Sequence, residues 1–306
     1  MRDSIAVAGL APDAAGKPGW RDAGVRREAF RNYQETIRYT VSIRPGRVLP
    51  LRTDLDWTLS AIPSLRQLVA SGAFVGLIVL KGDAILYERR AEDFSASDHH
   101  AAMSISKTAA HLMIGRLVAE GRVDASAPVG RYLPEAGPGY RDRSVQQVLD
   151  MDVDLDFVED GPEFLATNGS SYAPQLETRS VRDILRAVKG RAGDNPARTH
   201  FYMSTNIELL AWLAEAVTGR TVRELTFELI EAAGFESPAF CRCDRSGMPT
   251  LGGGLIMTLR DLGRYGLLLA RGGEGVTPQT VGSSEFTLRT LAERQGGTIL
   301  RPGVHY

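Results

Sequence analysis

The sequence predicts an α/β fold of the α+β type, in which helices flank an antiparallel sheet that is interrupted by a mostly helical insertion. Two apolar, β-prone runs, 74–80 and 84–88, surround a Gly-containing turn and predict a hairpin. Apolar residues then recur at helical spacing in several segments between residues 128 and 232. Near residue 250 three consecutive glycines precede a short apolar run and a capping box, Thr258 to Asp261, that predicts another helix.

The first part of the chain is predicted to form an arm, a helix and the hairpin. Residues 1–48 are rich in Arg, Gly and Pro and show little periodicity, so we expect an N-terminal arm that packs over the main body. Residues 56–72 carry apolar side chains at helical spacing and predict an amphipathic helix. The first strand of the hairpin is apolar throughout, which favours a central position in the sheet.

The remaining segments predict a division into subdomains. A helix is expected to begin at Ser104 and to end at Gly121. Residues 49–118 and 250–306 should form an α/β subdomain whose sheet is incomplete, and residues 119–249 a helical subdomain. We expect the active site in the cleft between the two.

The composition is that of an ordinary globular protein. The 306 residues carry a net charge of −1, and 43% are hydrophobic and 24% charged, which argues against nucleic acid as the main partner. No run of 18 apolar residues predicts a membrane span. The N-terminus is a weak signal peptide at best because its basic region is nearly absent, so we expect a cytoplasmic protein, with periplasmic or secreted locations as alternatives.

Cysteine spacing and short motifs argue against a metal-dependent enzyme. Cys241 and Cys243 are separated by one residue, and no histidine follows them before His305, whereas a zinc site needs three or four ligands. Two free thiols are therefore expected. The HExxH motif of metalloproteases and the GxSxG motif of α/β-hydrolases are absent from the sequence. We expect no metal and no other cofactor.

Ser104 and Lys107 are the first candidates for catalysis. They lie three residues apart at the start of a predicted helix, so their side chains can meet on one face. A serine hydroxyl needs a neighbouring base to become a nucleophile. A lysine can be that base if burial lowers its pKa from about 10.4 towards roughly 7–8. The alternative is a serine that caps the helix, with a solvated lysine one turn later.

Tyr202 is the candidate in a second segment, just before a long helix. Its phenol could share a proton with Lys107 and relay that proton to a leaving group. The alternative is a buried tyrosine at a helix entrance, with Ser204 as the helix cap. The interval 151–175, which includes Tyr172, is interpreted as a loop that walls a pocket. His99 and His100 are interpreted as an exposed pair in a loop.

These segments together resemble the penicillin-recognising serine hydrolases, a family that includes serine β-lactamases, DD-peptidases, esterases and 6-aminohexanoate-dimer hydrolases. The resemblance runs from about residue 70 to residue 275. It rests on an ordered set of motifs: Ser104-x-x-Lys107, Glu120-Gly121-Arg122-Val123-Asp124, Tyr132-Leu133-Pro134-Glu135, Tyr202-Met203-Ser204, and Gly252-Gly253-Gly254-Leu255 followed by Thr258-Leu259-Arg260-Asp261-Leu262.

The resemblance implies a fold and a set of roles. It implies a β-lactamase-like or DD-peptidase-like fold, with Ser104 as the nucleophile that becomes acylated, Lys107 as its base and Tyr202 as a general acid and base. Ser204 and Asn206 match the family's Ser-x-Asn variant and become candidate substrate-binding residues. Tyr172 is a third substrate-binding candidate, from its place in the pocket-walling loop.

One family motif has no match in this sequence. The family carries Lys/His-Thr/Ser-Gly on a strand well after the segment that ends in Arg-Asp-Leu, and that strand usually supplies an oxyanion-hole donor. About 30 residues follow Gly275, and none reads this way. Loss of one such donor typically costs about 2.7–4 kcal/mol of transition-state stabilisation. Either a truncated chain of reduced activity or a segment from a partner that completes the sheet is expected.

The sequence therefore predicts hydrolysis of a carboxylic ester or small amide through an acyl-Ser104 intermediate. Small esters and short amides are favoured over penicillins because Tyr-Met-Ser and its helical context resemble the esterase and oligomer-hydrolase branch. The alternatives are a β-lactamase or DD-peptidase, and a catalytically impaired relative that acts as a binding protein. The expected partners are a small-molecule substrate and either a second copy of the chain or a complementing C-terminal segment, without nucleic acid or membrane.

Overall fold

A computed structural model describes residues 6–7, 30–35, 37–156, 179–191 and 201–292. All structural statements below concern these residues. The described strands, in chain order, are β1 (Ala6–Val7), β2 (Tyr39–Ile43), β3 (Arg52–Thr53), β4 (Gly76–Lys81), β5 (Ala84–Arg90), β6 (His100–Ala101), β7 (Ala239–Arg242) and β8 (Leu255–Met257). The described α-helices are α1 (Pro63–Val69), α2 (Thr108–Ala119), α3 (Val145–Leu149), α4 (Val181–Ala187), α5 (Ser204–Thr218), α6 (Val222–Ala233), α7 (Leu259–Ala270) and α8 (Ser284–Ala292).

The strands form two sheets. A five-stranded sheet has the order β1-β2-β7-β8-β6, and every neighbouring pair in it is antiparallel. A three-stranded sheet has the order β3-β5-β4, in which β4 and β5 are antiparallel and the two-residue β3 is parallel to β5. The prediction of an α/β fold built on antiparallel strands and flanking helices is confirmed, although the strands are divided between two sheets.

The predicted hairpin is present as β4 and β5. Gly82 in its turn has φ +59°, a conformation that glycine adopts without strain. The prediction that the first strand is central is wrong for the described residues, where β4 lies at the edge of the three-stranded sheet. One face of β4 nevertheless packs closely, because a Cβ on Gly263 of α7 would lie 2.9 Å from Leu80. Its apolar composition therefore reflects contact with α7 rather than a central position.

The predicted helix over 56–72 is divided in two. Trp57–Ala61 is a 3-10 helix, and α1 begins at Pro63, a residue that fits the first helical position because its missing N–H has no partner there. The apolar side chains are largely exposed in the described structure: 75% for Trp57 and 50% for Leu68. The periodicity thus predicts the helical segments correctly, but no described element covers their apolar face.

Several short strands lie where the sequence predicts none, and the two longest of them are β2 and β7. β2 falls within the predicted arm, 1–48, and β7 falls within the predicted helical subdomain, 119–249. Both pair with each other in the five-stranded sheet, from Thr40 opposite Arg242 to Ile43 opposite Ala239. Residues 39–43 alternate apolar and polar side chains, which is a strand signal over a short run, whereas residues 239–242 do not alternate and give no such signal. The division into subdomains itself remains a prediction.

Helix α5 is the centre of the helical part. Ten of its fifteen residues are buried, and it packs against α2, α3, α4 and α6. A helix that is buried on nearly every side must be apolar all round, as Leu209–Leu213 is. The N-terminus of α5 lies beside the turn that carries Ser104, so this buried helix fixes one wall of the candidate site.

A buried ion pair ties α7 to the sheet and to the chain before β3. Asp261 and Arg264 are 1% and 3% exposed, and Arg264 Nη1 lies 2.9 Å from Asp261 Oδ1. Asp261 also accepts hydrogen bonds from the backbone N–H groups of Glu236 and Ser237, at 2.8 and 3.1 Å. Arg264 donates to the carbonyl oxygen of Leu49 at 2.9 Å. The pair therefore joins three separate segments.

Replacing Asp261 by alanine should destabilise the fold strongly. The change removes one of the two carboxylates that pair with the buried guanidinium of Arg264, the other being Glu236, and leaves two backbone N–H groups without acceptors, a loss of about 2–5 kcal/mol. Urea unfolding followed by circular dichroism measures it. Asp54→Ala is the matched control, because Asp54 pairs with Arg52 at the surface, where such pairs contribute at most about 1 kcal/mol. Equal losses for the two variants would contradict the interpretation.

Cys241 and Cys243 are free and buried, as the sequence predicts. Burial raises the pKa of the Cys241 thiol well above its usual value and raises the pKa of Cys243 to about 12. Only the thiolate is reactive, so both thiols should be inert while the protein is folded.

The native protein should therefore react with fewer than one equivalent of Ellman's reagent at pH 8, and with two equivalents after unfolding in urea. The folded state keeps both protons at this pH, whereas an unfolded cysteine has a pKa of about 8.5. Fast reaction of either thiol in the native protein would show that β7 opens readily.

Candidate active site

The turn that carries Ser104 is a 3-10 helix, Met103–Lys107, which leads directly into α2. The sequence predicts an α-helix from Ser104, but the α-helix begins only at Thr108. A 3-10 helix has 3.0 residues per turn, so side chains at i and i+3 are stacked. Lys107 Nζ accordingly lies 3.3 Å from Ser104 Oγ, within hydrogen-bond reach.

This turn is fixed to the sheet by its own backbone and by Ser106. The N–H of Ala102 donates to the carbonyl oxygen of Leu255 at 2.8 Å, and the N–H of Leu255 donates to Ser106 Oγ at 3.0 Å. Ser106 is fully buried, while Ser104 is exposed. Met103, just before Ser104, has φ +46°, a strained conformation for a non-glycine residue. The turn therefore presents Ser104 to solvent on a rigid support.

Lys107 Nζ brings three distant segments together. It donates to Ser104 Oγ at 3.3 Å, to Ser204 Oγ at 3.1 Å, and at close range to the carbonyl oxygen of Gly252. It also lies 4.9 Å from the centroid of the Tyr202 ring, a cation–π distance. These residues, Ser104, Lys107, Tyr202, Ser204 and Gly252, are called the lysine cluster below.

The structure excludes both capping alternatives. Ala102, not Ser104, is the N-cap of the 3-10 helix, and Met203, not Ser204, is the N-cap of α5. Neither cap residue makes a side-chain capping hydrogen bond. Lys107 is half-buried rather than solvated. The two serine hydroxyls instead point at the same lysine nitrogen.

The remaining candidates lie elsewhere. Asn206 is fully buried, and its Oδ1 accepts a hydrogen bond from the Tyr140 hydroxyl at 2.8 Å while its Nδ2 donates to Met151 Sδ at 3.2 Å. Asn206 lies two residues after Ser204 on α5, and side chains two positions apart on a helix point in different directions. It therefore faces the helical core instead of the lysine cluster. The structure therefore does not bring Asn206 to Lys107. Tyr172 lies outside the described residues.

Two groups in the site have no counterpart among the predicted residues. Glu208, one turn after Ser204, is a fully buried carboxylate that accepts hydrogen bonds from the N–H groups of Leu251 and Gly252, both at 2.9 Å. Gly252 supplies the carbonyl oxygen that Lys107 contacts. A Cβ there would lie 2.4 Å from Ser204 Cβ, so only glycine fits. The sequence offers one signal for Glu208, namely a glutamate in an otherwise apolar stretch of a predicted helix.

His99 and His100 take no part in the lysine cluster, and they are not the exposed pair that the sequence suggests. His99 and His100 are half-buried, with His99 Nε2 at 2.8 Å from the carbonyl oxygen of Pro238 and the His100 ring edge-on to Phe30 and Phe94. Burial lowers the pKa of His100. They pack where β6 joins the sheet, which the local sequence could not reveal.

Within the described ranges, no group of three or more His, Cys, Asp or Glu side chains is arranged to hold a metal ion. Among the same residues, no helix has both the length and the apolar character needed to cross a membrane.

Comparison with known proteins identifies the family. Residues 64–304 match the family model described as Beta-lactamase. The chain is 32% identical over 275 residues to the 6-aminohexanoate-dimer hydrolase of Paenarthrobacter ureafaciens, an alignment that covers 85% of this chain and 69% of that protein.

Solved structures share the fold. A Bacillus anthracis protein provisionally assigned as a 6-aminohexanoate-dimer hydrolase superposes with a TM-score of 0.72 at 22% identity, covering 89% of this chain and 75% of that one. A penicillin-binding protein homologue from Caulobacter crescentus superposes with a TM-score of 0.58 at 18% identity, covering 80% and 78%. These findings confirm the resemblance drawn from the motifs. The chain belongs to the beta-lactamase family.

Proposed function

We propose that this chain is a serine hydrolase that cleaves a carboxylic ester or small amide through an acyl-Ser104 intermediate. Hydrolysis of amide or ester bonds by a serine enzyme follows from the family. The assignment of the reacting residues is supported by one observation above the others. Lys107 Nζ is within reach of Ser104 Oγ at 3.3 Å and is held by acceptors on two other segments.

In the first step, neutral Lys107 accepts the proton of the Ser104 hydroxyl. Ser104 Oγ then forms a bond to the carbonyl carbon of the substrate, and the electrons of the C=O double bond move to its oxygen. The lysine becomes an ammonium with three N–H groups. It stays hydrogen-bonded to Ser204 Oγ and to the Gly252 carbonyl oxygen, which stabilise the new positive charge.

In the second step, the tetrahedral intermediate collapses and the bond to the leaving group breaks. The leaving alkoxide or amine takes a proton from Lys107, either directly or through the hydroxyl of Tyr202. Tyr202 is proposed for this role because it is the tyrosine of the lysine cluster, with its ring centroid 4.9 Å from Lys107 Nζ. Water then attacks the acyl-Ser104 ester by the reverse proton path and releases the carboxylic acid.

The exposed surroundings of Ser104 indicate the class of substrate. Ile105 is 45% exposed beside the nucleophile and offers an apolar surface to an alkyl chain. Ser204 contributes a second hydroxyl that contacts Lys107 Nζ and is the proposed polar contact for substrate. The relative from Paenarthrobacter ureafaciens is named for a dimer of an aliphatic amino acid. We therefore favour esters and short amides of aliphatic acids over β-lactams.

Ser104→Ala should abolish covalent acylation, because Ser104 Oγ is the proposed site of the acyl bond. The protein is incubated with p-nitrophenyl butyrate and, separately, with a chromogenic cephalosporin, and intact mass is recorded over time. The wild type should gain the mass of one acyl group with the ester, and Ser104→Ala should gain none.

Ser97→Ala is a control in the loop before Ser104, since Ser97 is exposed and its hydroxyl bonds to that of Ser95. It should keep the adduct. Faster acylation by the cephalosporin would move the assignment to a β-lactamase or DD-peptidase. If the protein forms no adduct and turns over neither compound, the proposal of a hydrolase is contradicted, and a binding protein is the remaining alternative.

Replacements of Lys107 and Tyr202 should separate the two proton-transfer roles. Lys107→Ala removes the base and should slow acylation by about 10²- to 10⁴-fold. Tyr202→Phe keeps the ring against Lys107 and removes only the hydroxyl, so a relay role predicts a loss of at least about 10²-fold in turnover of amides. The p-nitrophenyl ester should lose less, because p-nitrophenolate is a stable anion that leaves without a proton.

The matched control is Tyr132→Phe, which removes a hydroxyl bonded to the backbone of Asp124, away from the lysine cluster. Stopped-flow release of p-nitrophenol and amide hydrolysis by amine detection are the measurements. A Tyr202→Phe enzyme that hydrolyses amides at the wild-type rate would show that the ring, not the hydroxyl, is what the site requires.

A further inference from the structure

Glu208 is a charged side chain in a place that normally excludes charge. It lies on α5 between Ile207 and Leu209 and is fully buried. Burying a carboxylate is costly unless hydrogen bonds or an opposite charge compensate it. The fold retains this one at the end of α5 that faces Lys107, one helical turn after Ser204.

The carboxylate of Glu208 holds one peptide segment with both of its oxygens. Oε2 accepts a hydrogen bond from the N–H of Leu251, and Oε1 accepts one from the N–H of Gly252, each at 2.9 Å. These two residues lie between β7 and β8. Because the two N–H groups are consecutive, the carboxylate fixes both the position and the rotation of this segment relative to α5.

The same segment is the one that contacts the lysine. The carbonyl oxygen of Gly252 accepts a close hydrogen bond from Lys107 Nζ. Close packing leaves it no freedom to move towards α5, because a Cβ on Gly252 would be 2.4 Å from Ser204 Cβ and 2.9 Å from Glu208 Oε1. Glu208 therefore determines where the Gly252 carbonyl oxygen lies relative to Lys107.

The geometry of an amine explains why this carbonyl matters. A neutral lysine nitrogen has two N–H bonds and one lone pair in tetrahedral directions, and Ser104, Ser204 and Gly252 each place an oxygen within its hydrogen-bond reach. A carbonyl oxygen can only accept, so Gly252 always takes one N–H. When Ser204 Oγ takes the other, the lone pair points at the remaining neighbour, Ser104 Oγ. Without a fixed carbonyl, the lone pair is free to point elsewhere.

We propose that Glu208 is a positioning residue, which holds the Gly252 carbonyl so that the Lys107 lone pair faces the Ser104 hydroxyl. The proposal rests on the proposed function, because it assumes that Lys107 is the base. Glu208 stands to Lys107 as the third member of a triad stands to its histidine: it orients the base through a hydrogen-bonded intermediate group and does not touch the substrate.

Glu208→Gln tests the proposal with little change in shape. The amide keeps one acceptor oxygen but turns an NH₂ group towards a backbone N–H, so the 251–252 segment loses one of its two bonds. Acylation by p-nitrophenyl butyrate should slow by about 10- to 100-fold, the usual loss when an outer partner of a reactive group is removed. The pH dependence of acylation should also move, because a buried negative charge near the base is lost.

Asp244→Asn is the matched control. Asp244 is also fully buried and lies in the same connection between β7 and β8. It accepts backbone hydrogen bonds from Val181 of α4 at 2.7 Å and from Met248 of its own connection at 3.0 Å. None of its hydrogen-bond partners in the described part of the chain belongs to the lysine cluster. Asp244→Asn should lower the melting temperature as much as Glu208→Gln but change the acylation rate less than about threefold. Equal losses of rate would mean that both carboxylates merely stabilise the connection, and would overturn the proposal.

A second readout does not depend on catalysis. In a Ser104→Ala background, brief treatment with acetic anhydride at pH 7 labels amines in their neutral form, and peptide mapping reports the extent at Lys107. The exposed Lys81 and Lys189 serve as internal references. Adding Glu208→Gln should raise labelling of Lys107 at least about threefold, because its N–H loses a fixed acceptor and a nearby negative charge is removed. Adding Asp244→Asn should not.

The two readouts separate the proposals. A wild-type protein that forms no acyl adduct contradicts the proposed function, while the labelling of Lys107 still decides whether Glu208 controls that amine. Unchanged labelling in Glu208→Gln, or an equal increase in Asp244→Asn, overturns the inference. If Glu208→Gln does not fold, Glu208→Asp replaces it, because it keeps the charge and shortens the side chain by one methylene, so the labelling of Lys107 should still rise.

Discussion

The hydrogen bonds around Lys107 Nζ are the constraint on which the candidate site depends. A half-buried ammonium or amine needs acceptors, and local sequence offers only Ser104. The other two, Ser204 Oγ and the Gly252 carbonyl oxygen, come from the start of α5 and from the connection before β8. The turn, the central helix and the sheet must therefore be correctly packed before the lysine is satisfied, so the fold and the site form together.

Buried carboxylates hold the chain around this lysine. Glu208 accepts from the segment before β8, Asp244 accepts from the first residue of α4, and Asp261 accepts from the segment before β7. Each joins a helix to an irregular connection, where backbone N–H groups would otherwise lack partners. The connections on both sides of β7 and β8 gain a fixed geometry without being regular structure. The turn that carries Ser104 is held by its own hydrogen bonds to Leu255, and that support allows the strain at Met103 to persist.

The local features of this protein followed from its sequence. The β4–β5 hairpin, the end of α2 just before Gly121 and the meeting of Ser104 with Lys107 depend on residues within a few positions of one another. Side-chain periodicity and turn chemistry encode such short distances directly. The pairing of Tyr202 with Lys107 came from the order of motifs along a family pattern, and the structure brings the two together at 4.9 Å.

Only the tertiary structure decided the long-range parts. The bonds from Lys107 to Ser204 and Gly252 span 97 and 145 residues, and no local pattern encodes such separations. Every residue has a backbone carbonyl, so the sequence does not show which one contacts Lys107. The role of Gly252, and therefore the reason for a buried Glu208, could not be predicted from it. The sequence made Asn206 as good a substrate-binding candidate as Ser204, but its position on α5 directs its side chain towards Tyr140. Sequence determined which residues could react, and packing determined which of them meet.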